Sequence, residues 1–182
     1  MQDKTRPSEF VTLRSAQEPV SVIHYETYDC PFGQVFIASS QQGITHILFE
    51  DLQSAKARVQ KTHKQAQLIE QGDAHHGAAL SYFSNPAMPQ HIWLAVSGTP
   101  FQVKVWQALL EVPLGKTSSY GALARAIGKP KAARAIGGAV GKNPISFVVP
   151  CHRILASDGS IGGYYWGPEM KQAMLNWEAT RA

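Results

Sequence analysis

Pro150-Cys151-His152-Arg153 closes an apolar run, Ile145-Ser146-Phe147-Val148-Val149, and sets a thiol beside an imidazole where a buried strand is expected to stop. A cysteine there is held in place yet open on one side. Its sulfur attacks well only as a thiolate, so it needs a proton acceptor or a positive field nearby. His152 is the adjacent candidate. Neighbours on an extended chain point to opposite sides, so a bridging water is the expected link between the two, in place of direct contact. A carboxylate behind the imidazole would orient it. A helix expected from about Pro168 to Ala179 carries Glu169 and Glu178, and Glu178 follows Met174, Leu175 and Trp177. That pattern suits an orienting group near an apolar surface and equally an exposed carboxylate at a helix end.

The flanks add two features. Gly141-Lys142-Asn143-Pro144 is a turn into the cysteine run, and the Asn143 side chain can tie it to the helix before it. After Cys151, the loop from Ala156 to Gly163 leads to Tyr164, Tyr165 and Trp166. These three offer stacking surfaces for a base, or packing for a core.

The elements that must position these groups start at Ser97-Gly98-Thr99-Pro100, a domain boundary by pattern. Thr99 can cap a helix opening at Pro100, with Phe101, Val105, Ala108 and Leu109 on its apolar face; Pro113-Leu114-Gly115 ends it. Ser118 or Ser119 can cap a short helix from about Tyr120 to Ile127. Gly128-Lys129-Pro130 turns into a second, Lys131 to Val140. Two short helices across a glycine-containing turn fit a helix-turn-helix. The second helix presents Ala132, Ala133, Ala135, Gly137 and Gly138, with Arg134 as its one long central side chain. Small residues allow close approach to a groove, or tight packing within the protein.

Charge is unevenly placed. Residues 1–97 hold seven Lys/Arg against nine Asp/Glu, and residues 98–182 hold ten against four. Between Val112 and Ser157 there is no acid, while Lys116, Arg125, Lys129, Lys131, Arg134, Lys142 and Arg153 are all present. Such a block attracts polyanions or forms a solvated basic face.

The first half reads differently. Residues 1–19 are a polar lead-in or irregular edge. Val20–Tyr25, Gln34–Ala38 and Ile44–Phe49 form a three-stranded meander, followed by helices at about Leu52–His63 and Ala74–Phe83 and a further strand at Ile92–Val96. The expected architecture is α+β: a small N-terminal domain over residues 20–97, with a three-stranded antiparallel sheet and helices, and a mainly helical domain over 98–182. No apolar run approaches the roughly 18 residues of a membrane span. The N-terminus lacks the apolar stretch of a signal peptide, and the two cysteines, Cys30 and Cys151, are expected to stay reduced in a cytoplasm. His24, Cys30, His75 and His76 lack convincing zinc spacing, so neither metal nor cofactor is expected.

Phe101-Gln102, Val105-Trp106, Ser119-Tyr120-Gly121, Lys131-Ala132-Ala133-Arg134-Ala135, Gly141-Lys142-Asn143-Pro144-Ile145, Pro150-Cys151-His152-Arg153 and Gly163-Tyr164 stand in the order and spacing of the O6-alkylguanine-DNA alkyltransferases, also called methylated-DNA–protein-cysteine methyltransferases. The resemblance is strong over 98–182 and weaker over 20–97. It implies a ribonuclease H-like N-terminal domain and a winged-helix-like C-terminal one. It implies direct-reversal DNA repair, in which O6-alkylguanine, with O4-methylthymine as a second substrate, is flipped from duplex DNA and its alkyl group passes irreversibly to Cys151. By the same resemblance, His152 takes the thiol proton through water and Glu178 orients it. Tyr120 donates a proton toward the guanine, and Asn143 is a hinge between recognition helix and cysteine loop. Arg134 enters the duplex, with Ala132, Ala133, Ala135 and Gly137 on the DNA-facing helix. Tyr164, Tyr165 and Trp166 border the base pocket. The expected partner is duplex DNA carrying O6-alkylguanine, bound by a monomer, with cooperative binding left open.

Two bulky residues, Tyr165 and Trp166, stand where relatives often carry smaller ones or Arg, which predicts poorer reaction with benzyl-sized adducts. A damage sensor that binds without repairing would lack the acceptor cysteine. A cysteine hydrolase would leave the helix-turn-helix unexplained. A transcriptional role would call for a metal-binding module with four cysteines.

Overall fold

The computed structural model describes residues 5–16 and 19–182. The chain divides into two compact units: one gathers Phe10–Ser97 with Pro144–Ser146, the other Gly98–Asn143 and Phe147–Ala182 with the described residues before Phe10.

The first unit is built on a six-stranded sheet. Its strands are β1 (Val11–Ser15), β2 (Val22–Cys30), β3 (Gly33–Ser40), β4 (Gly43–Leu48), β5 (Gln67–Glu70) and β6 (Ile92–Val96), in the order β1-β6-β4-β3-β2-β5. The expected antiparallel meander is its centre, β2-β3-β4. The sheet is twice as wide as the sequence suggested because parallel pairings extend it, β6 on β4 and β1 on β6 at one side, β5 on β2 at the other. The lead-in assignment of residues 1–19 is corrected accordingly: Val11–Ser15 is a strand, and Pro7–Glu9 is a 3-10 turn. The remainder of that lead-in includes positions 1–4 and 17–18, outside the described residues.

Helices α1 (Leu52–Thr62) and α2 (Ala74–Ser84) start at aspartate caps, Asp51 and Asp73, whose carboxylates accept from the Ser54 and His76 amides at 3.0 and 3.1 Å. α1 packs on β3, and α2 on β3, β4 and β6. All of β4 and the stretch of β3 from Val35 are buried on both faces. The β3–β4 turn depends on Gly43, at φ +133°, where an added Cβ would lie 2.3 Å from the Trp93 carbonyl oxygen.

The second unit holds α3 (Pro100–Leu110), α4 (Tyr120–Ala126), α5 (Ala133–Gly141) and α6 (Pro168–Ala179), with a two-stranded parallel ladder of β7 (Ser118–Ser119) and β8 (Ile154–Leu155). Thr99 and Gln102 close a reciprocal capping box on α3. Ser119 caps α4, accepting from the Ala122 amide at 3.1 Å. Gly128, at φ +75°, takes the chain out of α4 in the left-handed conformation that suits glycine. Leu123, Ala124, Ile136, Ala139 and Val140 form the buried side of the α4–α5 pair. The Trp106 indole on α3 donates to the Ala139 carbonyl at 3.0 Å and so fixes α5 in place.

The run before Cys151 is not a strand. Ile145 makes an isolated parallel bridge to Ile47, and the chain then turns at Phe147, with φ 72°. A 3-10 turn, Cys151–Arg153, follows. The residues are as buried as a strand's would be, so hydrophobicity alone does not reveal the turn.

Candidate active site

Cys151 begins the 3-10 turn with its side chain almost enclosed, at 7% exposure. The Asn143 amide reaches it from the end of α5, donating to Sγ at 3.2 Å and to the Val149 carbonyl at 2.9 Å. One side chain thus joins the turn after the helix-turn-helix to the cysteine loop. Tyr164 Oη lies 3.9 Å from the sulfur and 3.4 Å from Met174 Sδ. Burial pushes the Cys151 thiol up, opposed by the Asn143 and Tyr164 contacts and by the charge of Lys171. At neutral pH the thiol therefore keeps its proton until a base takes it.

His152, fully buried, contacts Glu178 on α6, with Nε2 2.8 Å from Oε1. Glu178 is also fully buried, which rules out the exposed alternative that its sequence position allowed. The Arg153 guanidinium grips the same carboxylate, Nε at 2.9 Å from Oε2 and Nη2 at 2.7 Å from Oε1, and Nη1 donates to the Val112 carbonyl at 2.6 Å. Despite the cost of its own burial, Glu178 is held down to about 2 by His152 and Arg153. A carboxylate has no proton to give, so Nε2 carries the imidazole hydrogen and Nδ1 is left as a lone-pair acceptor. Nδ1 is buried and has no hydrogen-bond partner. Burial also pulls the His152 pKa down, with Glu178 opposing, which favours the neutral, basic form.

Two buried cations in this shell were missed as site residues. Arg153 had been counted in the basic surface block, yet it is fully buried on Glu178. Lys171 on α6 is likewise buried, its ammonium donating to the Ile154 and Ile161 carbonyls at 2.6 and 2.5 Å. Those two carbonyls stand at either end of the glycine-rich loop. The only sequence signal was negative: neither cation has an acidic neighbour at helical spacing to make it an ordinary surface pair.

Tyr120 opens α4, half-buried, and its ring faces α5: a Cβ on Gly137 would lie 3.8 Å from Cε1. Burial first, and the nearby Cys151 second, raise its pKa, so its hydroxyl stays a donor. Gly137 and Ala132 are half-buried, whereas Ala133, Arg134 and Ala135 are exposed. Lys116, Arg125, Lys129, Lys131 and Lys142 are exposed as well. Of the three aromatics after the glycine-rich loop, Tyr164 lies against the sulfur. Tyr165 is 61% exposed and meets Trp166 edge-on, ring centroids 4.6 Å apart.

In the first unit, His76 is held by Ser39 and Tyr28 at 3.1 and 3.0 Å. Among the described residues no group of three or more His, Cys, Asp or Glu is placed to hold a metal ion. Cys30 and Cys151 are both free thiols.

Fold and site together define a helix-turn-helix protein with a buried thiol and a His–Glu pair beside it, preceded in the chain by an α+β unit. Residues 100–180 match the family model of the 6-O-methylguanine DNA methyltransferase DNA-binding domain, and residues 23–76 match that of its ribonuclease-like domain. A methylated-DNA–protein-cysteine methyltransferase of Haemophilus influenzae is 41% identical over 166 residues, spanning 87% of this chain and 88% of that one. The Mycobacterium tuberculosis protein of the same name is 37% identical over 164 residues, spanning 88% and 95%. The crystal structure of M. tuberculosis OGT in complex with DNA superposes with a TM-score of 0.73 at 36% identity, over 87% of this chain and 94% of that one. The chain belongs to the 6-O-methylguanine DNA methyltransferase family.

Proposed function

We propose that this protein repairs DNA by moving the alkyl group of O6-alkylguanine, and of O4-methylthymine, from the duplex to Cys151, once per molecule. The observation that carries this reading is the buried Cys151 sulfur, touched by the Asn143 amide at 3.2 Å, with the adjoining His152 paired at 2.8 Å to Glu178 on α6. The relatives named as methylated-DNA–protein-cysteine methyltransferases support it.

The alkyl carbon is buried in stacked DNA, so the nucleotide must be extruded at a cost of roughly a few kcal/mol. The exposed Arg134 on α5 enters the space left in the stack, while Ala133 and Ala135 allow the helix to come close. His152 Nδ1 takes the Cys151 proton through a water. The Asn143 amide stabilises the resulting thiolate. Sulfur then forms a bond to the alkyl carbon as the carbon–oxygen bond breaks. Tyr120 gives its proton to a ring nitrogen, and guanine leaves neutral. His152 releases its proton to solvent, and Tyr120 regains one. The product at Cys151 is a thioether, whose carbon–sulfur bond does not hydrolyse under these conditions, so the protein is consumed.

No helix among the described residues is long and apolar enough to cross a membrane. We infer a cytoplasmic protein that acts as a monomer on duplex DNA, with its thiols kept reduced. DNA labelled in the O6-methyl group tests the function. The label should pass to the protein with one-to-one stoichiometry, survive Cys30→Ala, and be lost in Cys151→Ala. Transfer in Cys151→Ala, or repeated turnover, would overturn the reading.

A further inference from the structure

We infer that Phe147 is the positioning residue that fixes the plane of the His152 imidazole, and with it the direction of the Nδ1 lone pair. The inference rests on the proposed role of His152 as proton acceptor for Cys151.

His152 has its hydrogen bond at Nε2, to Glu178, while Nδ1 has none. One hydrogen bond at one end of a ring fixes a point and an axis. It does not stop rotation about that axis, which would redirect the Nδ1 lone pair. Phe147 supplies the missing constraint. Its ring lies over the imidazole with centroids 5.3 Å apart and planes 21° from parallel, an offset stack. The Phe147 ring also meets Trp177, edge-on at 5.5 Å and 71°. Trp177 directly precedes Glu178, so α6 supplies both the carboxylate that holds Nε2 and the ring that backs the stack.

The backbone at residue 147 sets the ring there against a local conformational cost. Phe147 is the only non-glycine residue at positive φ among those described, at 72°. A bulky residue is disfavoured there, and Gly or Asn would adopt the conformation at lower cost. The left-handed turn folds the chain so that residue 147 lies under residue 152, and phenylalanine fills that place with a flat face. Dispersion and ring geometry then hold the imidazole plane, and the apolar face keeps water from that side. The charged groups that act on His152 are Glu178 and Arg153, paired to each other, and Lys171 on α6.

The test compares the full-length protein with Phe147→Leu, Phe147→Tyr and His152→Gln, by single-turnover methyl transfer from O6-methylguanine DNA between pH 5 and 9. Phe147→Leu keeps an apolar side chain but no flat face. It should react about tenfold more slowly, from loosened aim. The acid-side midpoint of its rate profile should move up toward the ordinary histidine value. DNA affinity should not change. Phe147→Tyr keeps the ring and should restore the wild-type profile. Should Phe147→Leu fail to fold, the wild-type protein still decides the matter. The His152 ring protons should resonate upfield, as protons over an aromatic face do. Random-coil shifts would overturn the inference, as would a wild-type rate and profile in Phe147→Leu. His152→Gln separates the two levels: if it reacts as the wild type does, the proton-acceptor reading fails. If it is impaired while Phe147→Leu is not, only the positioning role falls.

Discussion

Glu178 serves two buried partners at once, the His152 imidazole and the Arg153 guanidinium. Removing its charge therefore has two separable effects. Glu178→Gln leaves Arg153 buried without a counter-charge, which should cost about 3–5 kcal/mol in chemical denaturation. It also removes the group that fixes the His152 tautomer, so methyl transfer should slow even where the variant is folded. A Glu178→Gln protein with wild-type stability and rate would contradict this arrangement. The pH profile follows from His152. Its folded pKa lies below the ordinary 6.5, so the basic form persists through neutral pH and disappears as pH falls through the lowered value. Methyl transfer should be level near pH 7 and decline at a midpoint under 6.5. Cys151 and His152 are legible in sequence because they are neighbours. Glu178 is far along the chain, and pattern left it open between orienter and surface acid until the family resemblance chose. Arg153 was misplaced on the basic surface because counting charges presumes solvent. Its acidic partner Glu178 comes from a remote helix.

Helix α5 divides cleanly into a buried row, Ile136, Ala139 and Val140, and an exposed one carrying Arg134. Arg134→Ala should leave the melting temperature unchanged, since the side chain is exposed on the surface. It should slow repair of O6-methylguanine in duplex DNA by about tenfold or more, and leave reaction with the free O6-methylguanine base as it was. Equal loss on both substrates would remove Arg134 from the duplex-entry role. The loop ahead of α6 sets a second expectation. Tyr165 and Trp166 form an edge-on pair next in the chain to Tyr164, whose hydroxyl lies 3.9 Å from the sulfur, so O6-benzylguanine should react more slowly than methylated DNA. Equal rates would contradict it. The helices were readable because their ends are written locally, in Thr99, Ser119 and Gly128. β1 and β5 are short, partly exposed strands whose pairing comes from distant partners, so no local period marks them. The turn at Phe147 was hidden for another reason. A buried apolar run looks the same whether it continues straight or bends, and backbone dihedrals leave no mark in composition.

Across the whole molecule, buried titratable groups set the response to acid. His46 is fully buried, and burial, aided by His63 and Arg58, lowers its pKa to about 3. Unfolded, it would take a proton near pH 6.5, so acid favours the unfolded chain between those two values. Glu178, held at about 2 in the fold against an ordinary 4.5, adds a loss at lower pH. The melting temperature should be level above pH 6.5 and fall steadily below it. A rise on acidification would contradict the burial of these groups. The central claim concerns a single sulfur. The protein is incubated with excess O6-methylguanine duplex, digested, and its peptides mapped by mass spectrometry. The expected result is one added methyl per chain, on the peptide bearing Cys151, with no further substrate consumed. An unmodified Cys151 alongside repaired DNA, or a methyl lodged on Cys30, would contradict it.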